Sequence, residues 1–378
     1  MNRRDLLALG LCATGAACTP PIGRAETARP NHRLKPLMHV GSQRGPTTPE
    51  TLDFLKRHGV DHVCGYPICQ NGRAHWTADE LERTRDLCND HGLSLDMVAL
   101  PFLTSSHIDR EKRGAIVLGE SPERDRDIER IQGMIAHCAQ VGIPAFKYNL
   151  SLLGVLRTQP TAGRGGSSYQ TWKLMDARPR SALTRAGRVD ADLAWERIEY
   201  FLNRIIPVCN EYRIRAACHP HDPGVPPDGY QGICRVLGTV DGLRRFLSIQ
   251  AGPYHGLNFC VGSVAEMLQH PCQELPPIVE EFARNKKIFN VHLRNIRGRR
   301  DDFQEVYIDE GDLDMVHILR VLRDTDYPYL VMPDHVPRHS EDRGAQQAFA
   351  HCFGYIQGIL QALEQIPRAP LTVRSLAK

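Results

Sequence analysis

From residue 35 onward, short apolar runs alternate with amphipathic stretches, and the alternation completes eight cycles. Strand-length runs, each followed by a helix-period segment, mark a parallel α/β fold, because a parallel strand needs a crossover before its neighbour can pair. The first predicted strand is 37–40. Thr48 and Pro49 then supply an N-cap and a first-turn proline for a helix that turns Leu52 and Leu55 inward and stops at His58-Gly59. After a second strand over 61–68, Thr77-Ala-Asp-Glu80 forms a capping box. The helix behind it carries Leu81, Leu87 and Cys88 at helical spacing up to Gly92. A third strand over 95–101 leads through a polar stretch to a helix over 123–141, and Gly142-Ile-Pro144 turns the chain into a fourth strand, 145–150.

Residues 151–189 form the longest irregular piece and include Gly163-Arg-Gly-Gly-Ser-Ser168. Composition alone suits a flexible linker. Position argues otherwise, because a helix over 192–212 follows and makes the segment a βα loop, like the one after strand three. The opposite connections, at Gly92, Gly142–Pro144 and Arg213, are short. Long loops gathered at the C-terminal ends of strands build a site and its cover. Four further strands end in reactive groups at that same face: Arg215 to His219, Leu257 to Cys260, Phe289 to His292, and Tyr329 to Asp334-His335. Helices near 240–250, 274–285 and 312–323 separate them, and a last helix over 342–363 lines up Phe349, Phe353, Ile356 and Leu360. The economical fold is a closed (β/α)8 TIM barrel, a single domain over 35–366, with long βα loops after strands 3 and 4. A doubly wound sheet would need a glycine fingerprint near the first strand, and none is there.

The 47 basic and 44 acidic residues nearly balance, and no run of like charge forms a groove for nucleic acid, so a small molecule is the expected partner. The segment before residue 26 is set apart: Arg3-Arg4 precedes a short, mildly apolar stretch, as in a twin-arginine-type export signal, which predicts a periplasmic protein. A lipid anchor at Cys18 is the weaker reading, because Gly15 stands where a lipobox would have leucine. The stretch is too short to span a bilayer, and no integral membrane span is expected elsewhere. The twelve cysteines show no disulfide framework, and the Cys64 to Cys69 spacing suits neither metal nor redox chemistry. A homo-oligomer is left open.

His219, Cys260, His292 and Asp334 end four consecutive predicted strands, so barrel closure brings them to one mouth. Two imidazoles, a thiolate and a carboxylate suit Mn²⁺, Fe²⁺, Co²⁺ or Zn²⁺ better than the oxygen-seeking Mg²⁺ or Ca²⁺. A lone histidine or cysteine at a strand end is ordinarily packing; four in succession at the same end are the signal. Cys218, Cys234, Cys272, His255 and His317 lack that placement. Asn149, His221, Asp222, Asn258, Arg294, Asn295, His335 and Arg338 fall where strands become loops. Arg294 is expected to grip a substrate carboxylate in bidentate fashion, against the plainer reading of a surface arginine in the run Arg294, Arg297, Arg299, Arg300. Asn149 and Asn258 suit hydroxyl recognition, with Asp222 and Arg338 as further substrate contacts.

Several motifs, Cys218-His219-Pro220-His221-Asp222-Pro223, Gly256 to Ser263, Val291-His292-Leu293-Arg294-Asn295, Asp309 to Met315 and Pro333-Asp334-His335, resemble in order those of the mannonate dehydratases. The similarity is strong over 215–338 and looser over 36–150. It implies a hydro-lyase of the xylose-isomerase-like barrels that uses Mn²⁺ or Fe²⁺ to convert D-mannonate to 2-keto-3-deoxy-D-gluconate. His219, Cys260, His292 and Asp334 would hold the metal, and His335 would act as acid or base. The chain departs from the pattern twice. No tyrosine follows the Asp-His pair in the way the family's Pro-Gly-Tyr segment would place it, and Tyr66-Pro-Ile-Cys-Gln70 stands where paired histidines are expected. Two other readings remain: a sugar isomerase or epimerase of the same barrel class, which would need strand-end glutamates or a loop acid such as Glu305, and an exported, non-catalytic binder of sugar acids.

Overall fold

The computed structural model describes residues 35–70, 72–177 and 182–368, and the arginine-paired leader with Cys12 and Cys18 lies outside them. Eight parallel strands close into a barrel. They are β1 His39–Ser42, β2 His62–Gly65, β3 Ser94–Ala99, β4 Ala145–Asn149, β5 Arg215–His219, β6 His255–Cys260, β7 Ile288–His292 and β8 Leu330–Met332. Outside them run α1 Pro49–Arg57, α2 Ala78–Asp90, α3 Glu123–Val141, α4 Ala191–Tyr212, α5 Val240–Ser248, α6 Pro271–Arg284, α7 Met315–Asp324 and α8 Gln346–Leu363. The (β/α)8 expectation holds. Where strand limits differ, pairing rather than hydrophobicity sets them. Leu37 is exposed and β1 begins at His39, which pairs with Leu330 of β8. At the other end Pro333, with no N–H to donate, ends the β8 ladder and leaves Asp334 and His335 just above it. No helix among the described residues is long and apolar enough to cross a membrane.

Side-chain alternation divides the core into two shells. In β4, Phe146 and Tyr148 face the helices, while Ala145 joins Met97, Ala217, Leu330 and Met332 in the plug of the barrel. Lys147 and Asn149 share the parity of Ala145 and emerge at the barrel's top. In α8 the buried face is Ala348, Cys352, Phe353, Ile356, Ile359 and Leu363, so Phe349 and Leu360 lie at its edge. The ten cysteines among the described residues are all free, and most are buried.

The loop reading of 151–189 holds as well. Its strand Thr171–Lys173 pairs with Asp302–Glu305, the middle strand of a small antiparallel sheet completed by Ile296–Arg299, which belongs to the loop after β7. Ser168 makes a backbone bridge to Arg338, in the loop after β8. Arg164 pairs with Asp309, and Trp172 and Tyr169 are buried beneath. Three βα loops are thereby joined into one cover over the C-terminal mouth.

The capping box at α2 is the most complete of the local devices. Glu80 accepts hydrogen bonds from the Thr77 and Gln70 N–H groups (2.9 and 2.7 Å) and from Arg73 (2.7 Å). Burial would raise its carboxyl, but these donors outweigh burial and bring it down to about 2. Glu80→Ala is expected to cost about 2 kcal/mol in urea unfolding at neutral pH. Because the folded-state value is depressed, this contribution is complete above the ordinary 4.5 and disappears as pH falls through about 2. The gap between wild type and variant should therefore close over that window; a gap independent of pH would contradict the assignment.

Candidate metal centre and active site

Register places the four strand-end groups together. Cys260 is the ladder partner of His292, His292 pairs with Met332, and His219 pairs with Asn149, so neighbouring strands deliver their last residues at one level. One ligand atom from each of His219, Cys260, His292 and Asp334 lies within 4.8 Å of the other three. Beneath them, Asn258 and Asn290, one pleat period lower on the same faces, hydrogen-bond to each other at 2.8 Å.

The surrounding groups orient these four as a metal site requires. His219 Nδ1–H donates to the Pro220 carbonyl at 2.7 Å, which leaves Nε2 as the acceptor of the ring. His292 Nε2–H donates to Gln43 Oε1 at 2.9 Å, and the Gln43 amide in turn donates to Asp334 Oδ1 at 3.0 Å. Such outer partners fix tautomer and ring angle. His292 Nδ1 is then a buried lone pair with no hydrogen bond, 3.5 Å from an Asp334 oxygen. Two acceptors facing each other at that distance are reconciled by a cation between them, so the donor set fits a divalent metal. Burial would raise the Asp334 carboxyl, yet its charged neighbours, His335 first and Arg294 with it, hold it well below the usual range.

Behind the cluster lies a network of buried charge. Arg294 is enclosed, with contacts to Asp222 (2.8 Å), Glu266 (3.0 Å), Ser263 (3.0 Å) and Glu305. Arg157 also pairs with Asp222 (2.6 Å) and Glu305. Burial pushes the Glu266 carboxyl well above its ordinary value, whereas at Asp222 and Glu305 the two guanidiniums outweigh burial, Glu305 falling to about 2. Two cations thus face three buried carboxyls, of which Glu266 is the one that burial drives toward its neutral form. Asp222, Glu305 and His335 also cluster as metal ligands might, but Arg157 and Arg294 already neutralise that group. His335 Nδ1 lies 2.9 Å from Glu305 and its Nε2 3.8 Å from Asp334 Oδ1. Burial alone would lower this imidazole; Asp334 and Glu305 beside it push it up to about 9.

Residues 166–369, more than half of the chain, match the family profile described as D-mannonate dehydratase (UxuA). The chain belongs to this family. Mannonate dehydratase 2 of Halalkalibacterium halodurans is 26% identical over 327 residues, 77% of this chain and 88% of the relative. The mannonate dehydratase of Oceanobacillus iheyensis is 26% identical over 358 residues, 85% and 96% of the two chains. Among solved structures, the mannonate dehydratase of Streptococcus suis serotype 2 superposes with a TM-score of 0.74 at 22% identity, covering 87% of this chain and 95% of that one. A D-tagatose 3-epimerase-like protein, with a TM-score of 0.54 at 14% identity, shares the barrel alone.

Within this family frame the structure reassigns several of the expected residues. Arg294 is no carboxylate grip: its side chain is fully buried, its Nη1 and Nη2 groups hydrogen-bond Glu305, Asp222 and Ser263, and Glu266 lies 3.0 Å away. A Cβ on Gly262 would sit 2.5 Å from its Nε, so glycine there makes room for the guanidinium. Arg338 points to solvent and contributes its backbone to the cover, so it is not among the residues lining the cavity. Asp222 reaches the cavity but is committed to the two arginines. Asn149, Asn258 and His335 do line it. Asn295 braces the loop carbonyls of Ile308 and Leu313, and His221, which burial lowers to about 3, is hydrogen-bonded to the Leu150 carbonyl. Glu305 does not swing toward the cluster; it orients His335. Sequence reasoning missed Gln43, Lys147, Arg157 and Glu266. Only Lys147 left a trace, since it sits two residues before Asn149 on the same face of β4.

Removing Gln43 as Gln43→Leu is expected to weaken Mn²⁺ binding about 10–100-fold in a chelator competition, and His292→Ala to leave the protein metal-poor by elemental analysis. Full occupancy in His292→Ala would remove the cluster from consideration. Arg294→Met strands buried carboxylates and should destabilise the fold by roughly 3–5 kcal/mol in chemical denaturation. Wild-type stability combined with a raised KM would instead return Arg294 to the substrate.

Proposed function

We propose that the protein is a metal-dependent hydro-lyase that removes water from an aldonate, with D-mannonate as substrate and 2-keto-3-deoxy-D-gluconate as product. The observation that carries this reading is the convergence of His219, Cys260, His292 and Asp334 beside the His335 imidazole, which Glu305 aligns, on one polar cavity. Family membership supplies the substrate. Mn²⁺ or Fe²⁺, bound by those four residues, would supply Lewis acidity toward the carboxylate and its neighbouring hydroxyl, where charge develops as the C2 proton leaves.

The chain's own residues do the rest. His335, aligned by Glu305, holds a proton on Nε2 at the cavity wall and delivers it to the C3 hydroxyl, which departs as water, while the proton released from C2 restores the imidazole to its starting form. Asn149 and Asn258 take sugar hydroxyls. The cover formed by residues 168–173, 296–305 and 338 limits water around the reacting atoms. An epimerase reading lacks its carboxylates, because Glu266 and Glu305 are both held by arginines. The paired-arginine leader supports export to the periplasm, with metal loading before transport as the way to avoid competition from Zn²⁺ and Cu²⁺.

Incubated with Mn²⁺ and D-mannonate, the protein should form a 2-keto-3-deoxy acid, and neighbouring hexonates should react more slowly. His335→Asn should lower kcat by about 100-fold or more while metal content stays unchanged. Absence of product from every hexonate, with ligand-dependent thermal stabilisation intact, would leave the sugar-acid binder in its place.

A further inference from the structure

Four arginine and lysine side chains stand in or beside the cavity, and they divide into two kinds. Arg157 and Arg294 are consumed by buried carboxylates. Lys147 and Arg235 have no ion-paired carboxylate among the described residues. Arg235 Nη2 donates to the Gly154 carbonyl at 2.7 Å and to Ser151 Oγ at 3.3 Å. Lys147 Nζ donates to Gln43 Oε1 and to the Tyr66 hydroxyl at 3.2 Å, and both partners are neutral. Burial raises the Tyr66 phenol above its ordinary value and so keeps it protonated. For Lys147, burial would lower the ammonium, but its surroundings, the Asp334 carboxylate among them, outweigh burial and hold it above its ordinary value.

Position distinguishes Lys147 from Arg235. Gln43 Oε1 accepts from both Lys147 Nζ and His292 Nε2, so a single carbonyl oxygen separates the ammonium from the metal-binding cluster. An ammonium has three donors, and two of these are spoken for. The side chain lines the cavity together with His292 and Asp334. A divalent ion beside an ammonium leaves two like charges facing each other at close quarters, and an anion lying between them relieves that repulsion.

We propose that Lys147 is the residue that takes the substrate carboxylate, the task the sequence pointed to at Arg294. The assignment rests on the aldonate reading above and names the part of the site that selects an acid over a neutral sugar. It also accounts for a lysine on the inward face of a barrel strand, where an apolar residue would pack at lower cost. A purely structural Lys147, bracing Gln43, would be indifferent to ligand charge.

The test is equilibrium binding to the Mn²⁺-loaded full chain by calorimetry, with the 3-deoxy analogue of D-mannonate, which lacks the leaving hydroxyl, and its uncharged carboxamide as probes. Wild type should prefer the acid, and Lys147→Met should lose roughly 30-fold in affinity for the acid with little change for the amide. Lys147→Arg should recover part of the preference, and it serves as the second variant if Lys147→Met folds poorly. Equal losses for both probes, no loss for either, or a selective loss in Arg235→Met instead of Lys147→Met would each overturn the assignment, as would a wild type that binds neither probe. The two readings fail separately. A protein that dehydrates D-mannonate with an unchanged KM in Lys147→Met keeps its function and loses this inference. One that dehydrates no hexonate but binds the acid through Lys147 does the reverse.

Discussion

The ladder register between β6 and β7, which sets Cys260 opposite His292, is the constraint on which the site depends. A shift of one residue would turn either side chain out toward the helices, because strand side chains alternate strictly between faces. Closure of the barrel extends the same condition to β5 and β8. Pro333 then ends the last ladder early enough for Asp334 and His335 to stand above it. No single strand can assemble this centre, and no single loop could hold it as firmly.

Electrostatics built on that register set the charge around the cavity. Arg157 and Arg294 neutralise Asp222 and Glu305 beneath the cover, and burial pushes the Glu266 carboxyl above its ordinary value. The product of this network is a fixed Glu305 that aligns His335 beside the strand-end cluster. The unmatched charge lies on the other wall, at Lys147 and Arg235, which gives the cavity a positive bias suited to a sugar acid. The cover couples the two sides, because the strand that carries Glu305 is paired with the strand from the long insert after β4.

Much of this was legible in the chain. Strand and helix periodicity gave the barrel, the capping box at Thr77 and Glu80 marked α2, and the helix over 123–141 was placed to the residue. Loop lengths chose the functional face, and strand ends supplied the four residues that converge at the barrel mouth. Errors arose where the sequence offered residue type without partners. Arg294 looked free because the acids that hold it, Asp222, Glu266 and Glu305, come from other elements, and Arg338 looked reactive because its exposure could not be foreseen. Gln43 and Lys147 lacked a signal strong enough to stand apart from ordinary surface polarity.

The sequence by itself determined which positions become strands and helices and which reactive groups end four of the strands, because those properties follow from local periodicity and from residues that start and stop elements. Only the tertiary structure decided how the charges are spent. Pairing among Arg157, Arg294, Asp222, Glu266 and Glu305 depends on approach across loops after different strands. Whether a cation serves the fold or the substrate is settled by which carboxylates reach it first.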